Sequence, residues 1–393
     1  MMIDMDMDRL TREDFERLAG IKSQNCISIF IPTHNKGMEV NEGLDWLQFK
    51  NQLTEVRDKL LKKNYQEKYV TELLAPAFNL LNDTGFWHLQ DKGLAVFMND
   101  ENISYFRLPV SFEAENYVGN AFVLDPLFIF FREEGKFYTL ALSQKKVKLF
   151  RNSRYHFEEI ALPSSVPQNI DEILSQYEFT KRTMQGKNMG SKNMGGGTIL
   201  HSHTDSFYND QYTLEFFRQI NTGVNEALRD EEKLPLVLYA VDNMHSVYQK
   251  ANSYPNLFKE GVNGNPDHLL DQEIFEKSIN VMRGEMLKPL KKKIDTYHAF
   301  AGTGKTSYSI DEIVREAQAG RIDTLFIEKN NHLWGTFNEQ SKETKMGKAT
   351  DKDSTSLTTK AAAFTIENGG FVYEVTAEEM PEAGKPMVAV FRF

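Results

Sequence analysis

The chain has 393 residues, of which 40% are hydrophobic and 12% aromatic, a composition that excludes a disordered protein and fits about two to three folded domains. Its single cysteine, Cys26, excludes an intramolecular disulfide and a thiolate metal cluster, and is typical of a reducing cytoplasm. The net charge of −10 disfavours DNA as a partner, and no signal peptide or membrane span is evident, so we expect a cytoplasmic protein without membrane contact.

Residues 1–124 are predicted to form a first α/β domain. The apolar run Cys26–Pro32 is typical of a buried strand. Apolar residues between Trp46 and Leu60 recur every three or four positions, which predicts a helix with one buried face. The segments Gly93–Met98 and Ile103–Leu108 predict a β-hairpin.

Residues 125–287 are predicted to form a second, central domain. Strands are expected at Phe137–Leu142, Val147–Arg151, Phe157–Leu162 and Leu234–Val241, and helices at Phe207–Leu228 and Asp271–Leu287. The run at Leu234–Val241 is continuously apolar, which favours a central strand that is covered on both faces of its sheet.

The segment 181–204, KRTMQGKNMGSKNMGGGTILHSHT, combines glycine with positive charge inside this second domain. It carries Lys181, Arg182, Lys187 and Lys192 and no acidic residue, although the whole chain is acidic. Because glycine gives the backbone unusual freedom, we expect a loop that closes on a ligand or reaches into a partner.

Residues 288–393 are predicted to form a third α/β domain. Ser309–Glu312 has the pattern of a capping box at the start of a helix, and residues 340–354 are expected to be a polar surface loop. The remaining elements are a helix at Ser356–Glu367 and strands at Thr324–Ile327, Phe371–Val375 and Met387–Phe393.

Several segments resemble the bacterial members of the archaeo-eukaryotic release factor superfamily, the BaeRF proteins, which are distant relatives of the class 1 release factor and of Pelota. The likeness covers most of the chain from Asp125 onward. It rests on FYTLALSQKKVKLFR, on FFRQINTGVNEAL followed by LPLVLYAVDNMHSVYQKANSYPNL, on IDEIVREAQAGRIDTLFIEKNNHLWG and on NGGFVYEVTAEEMPEAGKPMVAVFRF. The resemblance implies three α/β domains, with a central RNase H-like sheet and a C-terminal domain similar to the kink-turn-binding ribosomal protein fold.

In release factors of this superfamily, a loop of the central domain carries a Gly-Gly-Gln tripeptide whose glutamine helps water attack the peptidyl-tRNA ester. The segment 181–204 stands at the same place in the order of elements. Here Gly195, Gly196 and Gly197 are followed by Thr198 rather than glutamine. The resemblance therefore implies a loop of the release-factor kind that lacks its catalytic side chain.

The resemblance implies a ribosome-associated factor of the release or rescue type that contacts rRNA or tRNA. Lys181, Arg182, Lys187 and Lys192 are the expected phosphate contacts, and the glycines would allow close approach to RNA.

The alternative function is a hydrolase that acts on peptidyl-tRNA or RNA, so whether the chain is an enzyme stays open, with the missing glutamine favouring a non-enzymatic factor. Its catalytic candidates are Gln185 and Thr198. His201 and His203 would point to the same side of an extended chain and are metal-ligand candidates, although we expect neither a metal nor a cofactor. A metal-dependent nuclease would also need a carboxylate cluster, for which Asp242 has no evident partner.

A further alternative is a nucleotide-binding P-loop at Ala301–Thr306, AGTGKT. The full motif needs a glycine at position 299, where the chain has Ala299. The motif also follows a charged segment, 288–293, rather than a buried strand. We therefore interpret this region as a flexible basic linker.

Overall fold

A computed structural model describes residues 10–34, 43–132, 135–175, 205–351 and 353–393, with side chains described from Tyr212 onward in the helix that begins at Asp205. The helices are α1 (Arg12–Gly20), α2 (Leu44–Lys62), α3 (Glu67–Leu81), α4 (Thr84–His88), α5 (Asp205–Ala227), α6 (Asp242–Ala251), α7 (Asp271–Met286), α8 (Lys288–Phe300), α9 (Ile310–Gln318) and α10 (Leu357–Glu367), with a 3-10 helix at Asp125–Phe130. The strands are β1 (Lys22–Pro32), β2 (Gly93–Met98), β3 (Ile103–Leu108), β4 (Glu115–Ala121), β5 (Phe137–Leu142), β6 (Val147–Asn152), β7 (Phe157–Ile160), β8 (Leu236–Ala240), β9 (Val262–Asn263), β10 (Thr306–Ser307), β11 (Ile322–Glu328), β12 (Trp334–Asn338), β13 (Glu343–Met346), β14 (Thr355–Ser356), β15 (Phe371–Val375) and β16 (Met387–Phe391). The predicted α/β class is confirmed.

The chain divides into two compact units. Met1–Glu133 and Leu290–Phe393 together form one, here called the terminal unit, and Glu134–Pro289 form the other, the central unit. The three-domain division at residues 124/125 and 287/288 stays a prediction. No helix in the described part of the chain is long and apolar enough to cross a membrane.

The first sheet of the terminal unit is antiparallel, with strand order β3-β2-β1-β4. The predicted strand at Cys26–Pro32 lies within β1, and the predicted hairpin is β2–β3. The apolar stripe of α2 is fully buried against this sheet at Phe49, Leu53, Val56 and Leu60, because its three- and four-residue spacing places these side chains on one helix face.

Two further sheets complete the terminal unit, with strand orders β10-β16-β11-β15 and β13-β12-β14. Strand β13 lies inside residues 340–354, so the prediction of a plain surface loop there is wrong. The predicted capping box at Ser309 is also wrong: Ser309 precedes α9, but its side chain makes no capping hydrogen bond. Instead, the hydroxyl of Ser307 donates to Glu312 at 2.5 Å and accepts the backbone N–H of Ser309 at 3.1 Å.

The central unit is built on one five-stranded sheet with order β7-β6-β5-β8-β9, in which β5, β8 and β9 are parallel. Alternate residues of β5 enter different cores. Tyr138, Leu140 and Leu142 pack in the cluster that contains the buried faces of α5 and α6. Phe137 and Ala141 pack in the cluster that contains α7. Both faces are therefore covered, which explains the continuous apolar run in β8 and confirms it as a central strand.

Candidate functional site

The predicted site residues lie outside the described residues. This holds for the RNA-binding candidates, the catalytic candidates and the metal-ligand candidates: Lys181, Arg182, Gln185, Lys187, Lys192, Gly195, Gly196, Gly197, Thr198, His201 and His203. Their roles stay predictions, and the structure instead describes the chain segments on either side of them.

Both segments that bound residues 176–204 pack in the same core of the central unit. Before the gap, residues 170–175 are helical, and Ile173 is fully buried. After the gap, α5 contributes the buried side chains of Phe216 and Val224 to the same cluster. Gly223 of α5 allows a close approach, since a Cβ built there would lie 2.0 Å from a methyl carbon of Val166. The described residues on either side of the gap thus pack on one face of the central sheet.

Polar side chains follow the carboxyl ends of β5 and β8, and the one after β5 is hydrogen-bonded within the unit. The hydroxyl of Ser143 donates to Asp267 and accepts the backbone N–H groups of Lys145 and Lys146, each at 2.9 Å. Asp242 begins α6 and is exposed. Among the described residues no group of three or more His, Cys, Asp or Glu side chains is placed to hold a metal ion.

The glycine-containing segment before β10 does not have the surroundings of a P-loop. A P-loop connects a strand to a helix and wraps the phosphates with the backbone between them. Here α8 precedes the segment, and the two-residue strand β10 follows it. The charged segment 288–293 before the motif is the start of α8, in which Leu290 and Tyr297 are buried.

A buried polar cluster in the terminal unit was missed by sequence reasoning. Its centre is Asp125, which is 6% exposed. The Asp125 carboxylate accepts hydrogen bonds from the hydroxyls of Ser356 at 3.0 Å and Thr358 at 2.7 Å, and from that of Thr359. It also lies 2.7 Å from Nδ1 of His332. Three hydroxyls and one imidazole thus surround a single carboxylate, which offsets the cost of burying its charge.

His332 connects this cluster to β4. Its Nε2 lies 3.0 Å from the hydroxyl of Tyr117, which in turn lies 2.7 Å from the Glu115 carboxylate. Burial lowers the pKa of His332, but the hydrogen bond and charge of Asp125, together with the charge of Glu115, outweigh burial and leave the pKa raised. Burial raises the pKa of Glu115 against the opposing effect of its hydrogen bond with Tyr117.

A cavity of about 200 Å³ adjoins the cluster, and its lining includes Glu115, Asp125, His332 and Glu374. Burial, and secondarily the charge of Asp125, raises the pKa of Glu374 to about 7, although Lys329 and His332 oppose this. Both ring nitrogens of His332 are occupied, so the ring has no free nitrogen with which to act on a ligand in the cavity.

The comparison with known proteins supports the predicted resemblance. Residues 136–321 match the model of Bacterial archaeo-eukaryotic release factor family 3. This match includes most of the central unit and the whole segment 181–204. No functionally curated protein matches the chain. The resemblance proposed from sequence is confirmed over these residues.

Solved structures with similarity to this chain include translation factors from archaea and yeast. Pelota from Archaeoglobus fulgidus is 10% identical over 98% of this chain and 92% of that chain, with a TM-score of 0.34. The archaeal translation termination factor aRF1 is 13% identical over 98% and 99%, with a TM-score of 0.22. Dom34 from S. cerevisiae, a translation termination-like factor, is 10% identical over 77% and 73%, with a TM-score of 0.27. At these TM-scores the likeness carries no argument about function.

Proposed function

We propose that this chain, whose residues 136–321 match bacterial archaeo-eukaryotic release factor family 3, is a ribosome-associated translation factor of the release or rescue type. In this proposal the protein acts in the cytoplasm and contacts rRNA or tRNA through the glycine-rich segment 181–204. The family match supports the general role as a translation factor, and the composition of the segment supports the contact with RNA.

The observation that carries the proposal is the position of the basic segment within the matched fold. The core that holds Val166 and Ile173 on one side of the segment also holds α5 on the other. Because described residues on both sides of the segment belong to one core, we expect the segment to extend from one side of the central unit. Its four cationic side chains, with no carboxylate between them, suit a polyanionic backbone, while the chain as a whole is acidic.

The proposed contact does not include hydrolysis of peptidyl-tRNA. No glutamine follows Gly195–Gly197, and Gln185 stands upstream at a different spacing. A factor of this kind would occupy a ribosomal site through charge and backbone approach. The hydrolase alternative has no observation in its favour among the described residues.

Co-sedimentation with ribosomes over a range of salt concentrations tests the proposal. The test variant replaces Lys181, Arg182, Lys187 and Lys192 with glutamine. Each RNA phosphate contact that is lost should reduce the slope of log K against log salt by about 0.7 to 0.9, so the quadruple variant should lose about 3 units of slope.

A charge-matched control replaces four exposed lysines outside the segment, Lys62, Lys259, Lys277 and Lys348, with glutamine. This control should keep the wild-type slope, because the proposal assigns these lysines no RNA contact. Wild-type protein that stays in the supernatant at low salt would refute ribosome association. Equal slopes for the wild type and the test variant would refute the role of the segment.

A further inference from the structure

The hydrogen bonds around Asp125 determine which atoms of His332 carry protons. The carboxylate of Asp125 accepts from the hydroxyls of Ser356, Thr358 and Thr359, so it acts as an acceptor toward its fourth partner as well. That partner is Nδ1 of His332, at 2.7 Å. With Asp125 as an acceptor, Nδ1 carries a hydrogen, and Nε2 is the ring nitrogen that gains or loses one.

The protonation of Nε2 determines the partner of Tyr117. The Tyr117 hydroxyl lies between Nε2, at 3.0 Å, and the Glu115 carboxylate, at 2.7 Å, and it has one hydrogen to donate. When Nε2 carries a hydrogen, the ring donates to Tyr117 and Tyr117 donates to Glu115. When Nε2 is bare, it accepts the Tyr117 hydrogen, and Glu115 loses this donor.

The charges that face His332 make this difference larger. They come from the end of β11, from β4 and the residues before it, from the 3-10 helix and its C-terminal neighbour, and from β15. The acidic groups are Glu113, Glu115, Asp125, Glu328 and Glu374, and the basic groups are Lys329 and Arg132. Loss of the imidazolium charge therefore leaves an excess of carboxylates around a small cavity, where like charges repel one another.

The hydrogen-bonded chain lies between two sheets of the terminal unit. Glu115 and Tyr117 belong to β4, the edge strand of the first sheet. His332 lies two residues before Trp334, the first residue of β12 in the third sheet, and the Tyr117 ring lies 5.8 Å from the Trp334 ring. A second link between these regions is the hydrogen bond from Asn120 to Asp353 at 3.0 Å. A change in the Tyr117 hydrogen bond thus acts on the contact between β4 and the β12 region.

We propose that Glu115, Tyr117 and His332 form a proton-operated switch. Protonated His332 holds β4 to the β12 region through a charged hydrogen bond to Tyr117, whereas neutral His332 keeps only a neutral hydrogen bond to Tyr117 and leaves Glu115 without its donor, which weakens that contact. The switch requires no ligand and does not depend on the proposed ribosome function. It is a conformational device within the terminal unit, driven by one proton on one imidazole.

Amide hydrogen exchange of the full chain tests the switch. Protection factors of the β4 amides, corrected for the intrinsic effect of pH, are compared at pH 6 and pH 8.5. We expect wild-type protection to fall about tenfold at the higher pH, because the Glu115 carboxylate loses the hydrogen bond that Tyr117 donates to it. The β5 and β8 amides of the central unit should change much less, and they serve as an internal control for folding.

Two variants separate the switch from ordinary pH sensitivity. Tyr117→Phe removes the shared hydrogen but keeps the ring, so β4 protection should fall clearly less between pH 6 and pH 8.5 than in the wild type; the titration of Glu374 remains in both proteins. His298→Gln alters an exposed histidine on α8 and should keep the wild-type profile. His332→Gln should also flatten the profile, and it provides a second reading if Tyr117→Phe fails to fold. Wild-type protection that does not change with pH, or an unchanged pH profile in the folded Tyr117→Phe or His332→Gln variant, would overturn the proposal.

Discussion

Replacement of Glu374 with glutamine should stabilise the terminal unit at alkaline pH. Glu374 lies on β15 and lines the cavity beside Asp125 and His332. Burial raises its pKa from 4.5 to about 7, because the ionised carboxylate loses hydration in this position. Glutamine has nearly the same shape and carries no charge. The substitution should therefore remove the cost of ionisation and keep the packing.

The size and sign of the effect follow from the pKa. A carboxyl group whose pKa is raised in the folded state gives stability that is fully present below its unfolded pKa and is lost as pH rises through the folded pKa. The rise from 4.5 to about 7 corresponds to about 3 kcal/mol at 1.36 kcal/mol per unit. Part of this loss is already present at pH 5, so Glu374→Gln should stabilise by about 2 kcal/mol more at pH 8.5 than at pH 5.

Tryptophan fluorescence during denaturant unfolding measures this difference selectively. All three tryptophans, Trp46, Trp87 and Trp334, belong to the terminal unit, so the signal does not report the central unit. The control Glu343→Gln lies on the exposed strand β13 and should have a similar effect at both pH values. A gain from Glu374→Gln that is equal at pH 5 and pH 8.5, or a loss at pH 8.5, would refute this account.

Two predictions concern other parts of the chain. Gly223→Ala should destabilise the central unit by about 1 to 3 kcal/mol, because the added Cβ would overlap Val166. Gly284→Ala in α7 has open space around the added Cβ and should stabilise the unit by about 0.5 kcal/mol. Circular dichroism during denaturant unfolding measures both changes in the free energy of unfolding. The buried thiol of Cys26, whose pKa burial raises to about 11, should react with iodoacetamide at pH 8 far more slowly in the native protein than in denaturant, and equal rates would contradict its burial.

The elements predicted correctly are those whose signal is local and repeated. The apolar stripe of α2 and the apolar run of β1 can be identified within their own segments, because the spacing of their apolar residues determines which face of the element is buried. Helix α8 was missed because its start, KPLKKK, is charged. Pro289 is tolerated in the first turn of a helix, and the buried Leu290 and Tyr297 secure α8 through tertiary packing that the charge pattern conceals.

The capping box shows how a correct local pattern can be overridden. Ser309 and Glu312 have the required spacing, and α9 does begin at Ile310. The hydroxyl of Ser307 nevertheless donates a hydrogen bond to the Glu312 carboxylate and accepts one from the Ser309 N–H. Several hydroxyl groups near a helix start compete for the same partner, and the sequence pattern alone does not determine which one binds.

The Asp125 cluster could not be predicted because its members are far apart in the chain. His332 is 207 positions from Asp125, and Thr359 is 234 positions away. The Ser356 hydroxyl does carry a local signal, since it caps α10 by accepting the backbone N–H of Thr359 at 2.9 Å. That signal explains the start of a helix. It gives no indication that a buried carboxylate from another part of the chain lies against the same hydroxyls.

The two proposals rest on separate parts of the molecule and can fail separately. The family match covers residues 136–321, whereas Glu115, Tyr117, Asp125, His332 and Glu374 all lie outside that range. The match to this family model therefore includes the segment 181–204 and says nothing about the proposed proton switch. If loss of the four cations abolishes ribosome binding without changing β4 protection, and Tyr117→Phe does the reverse, then RNA contact and pH response belong to different units of this chain.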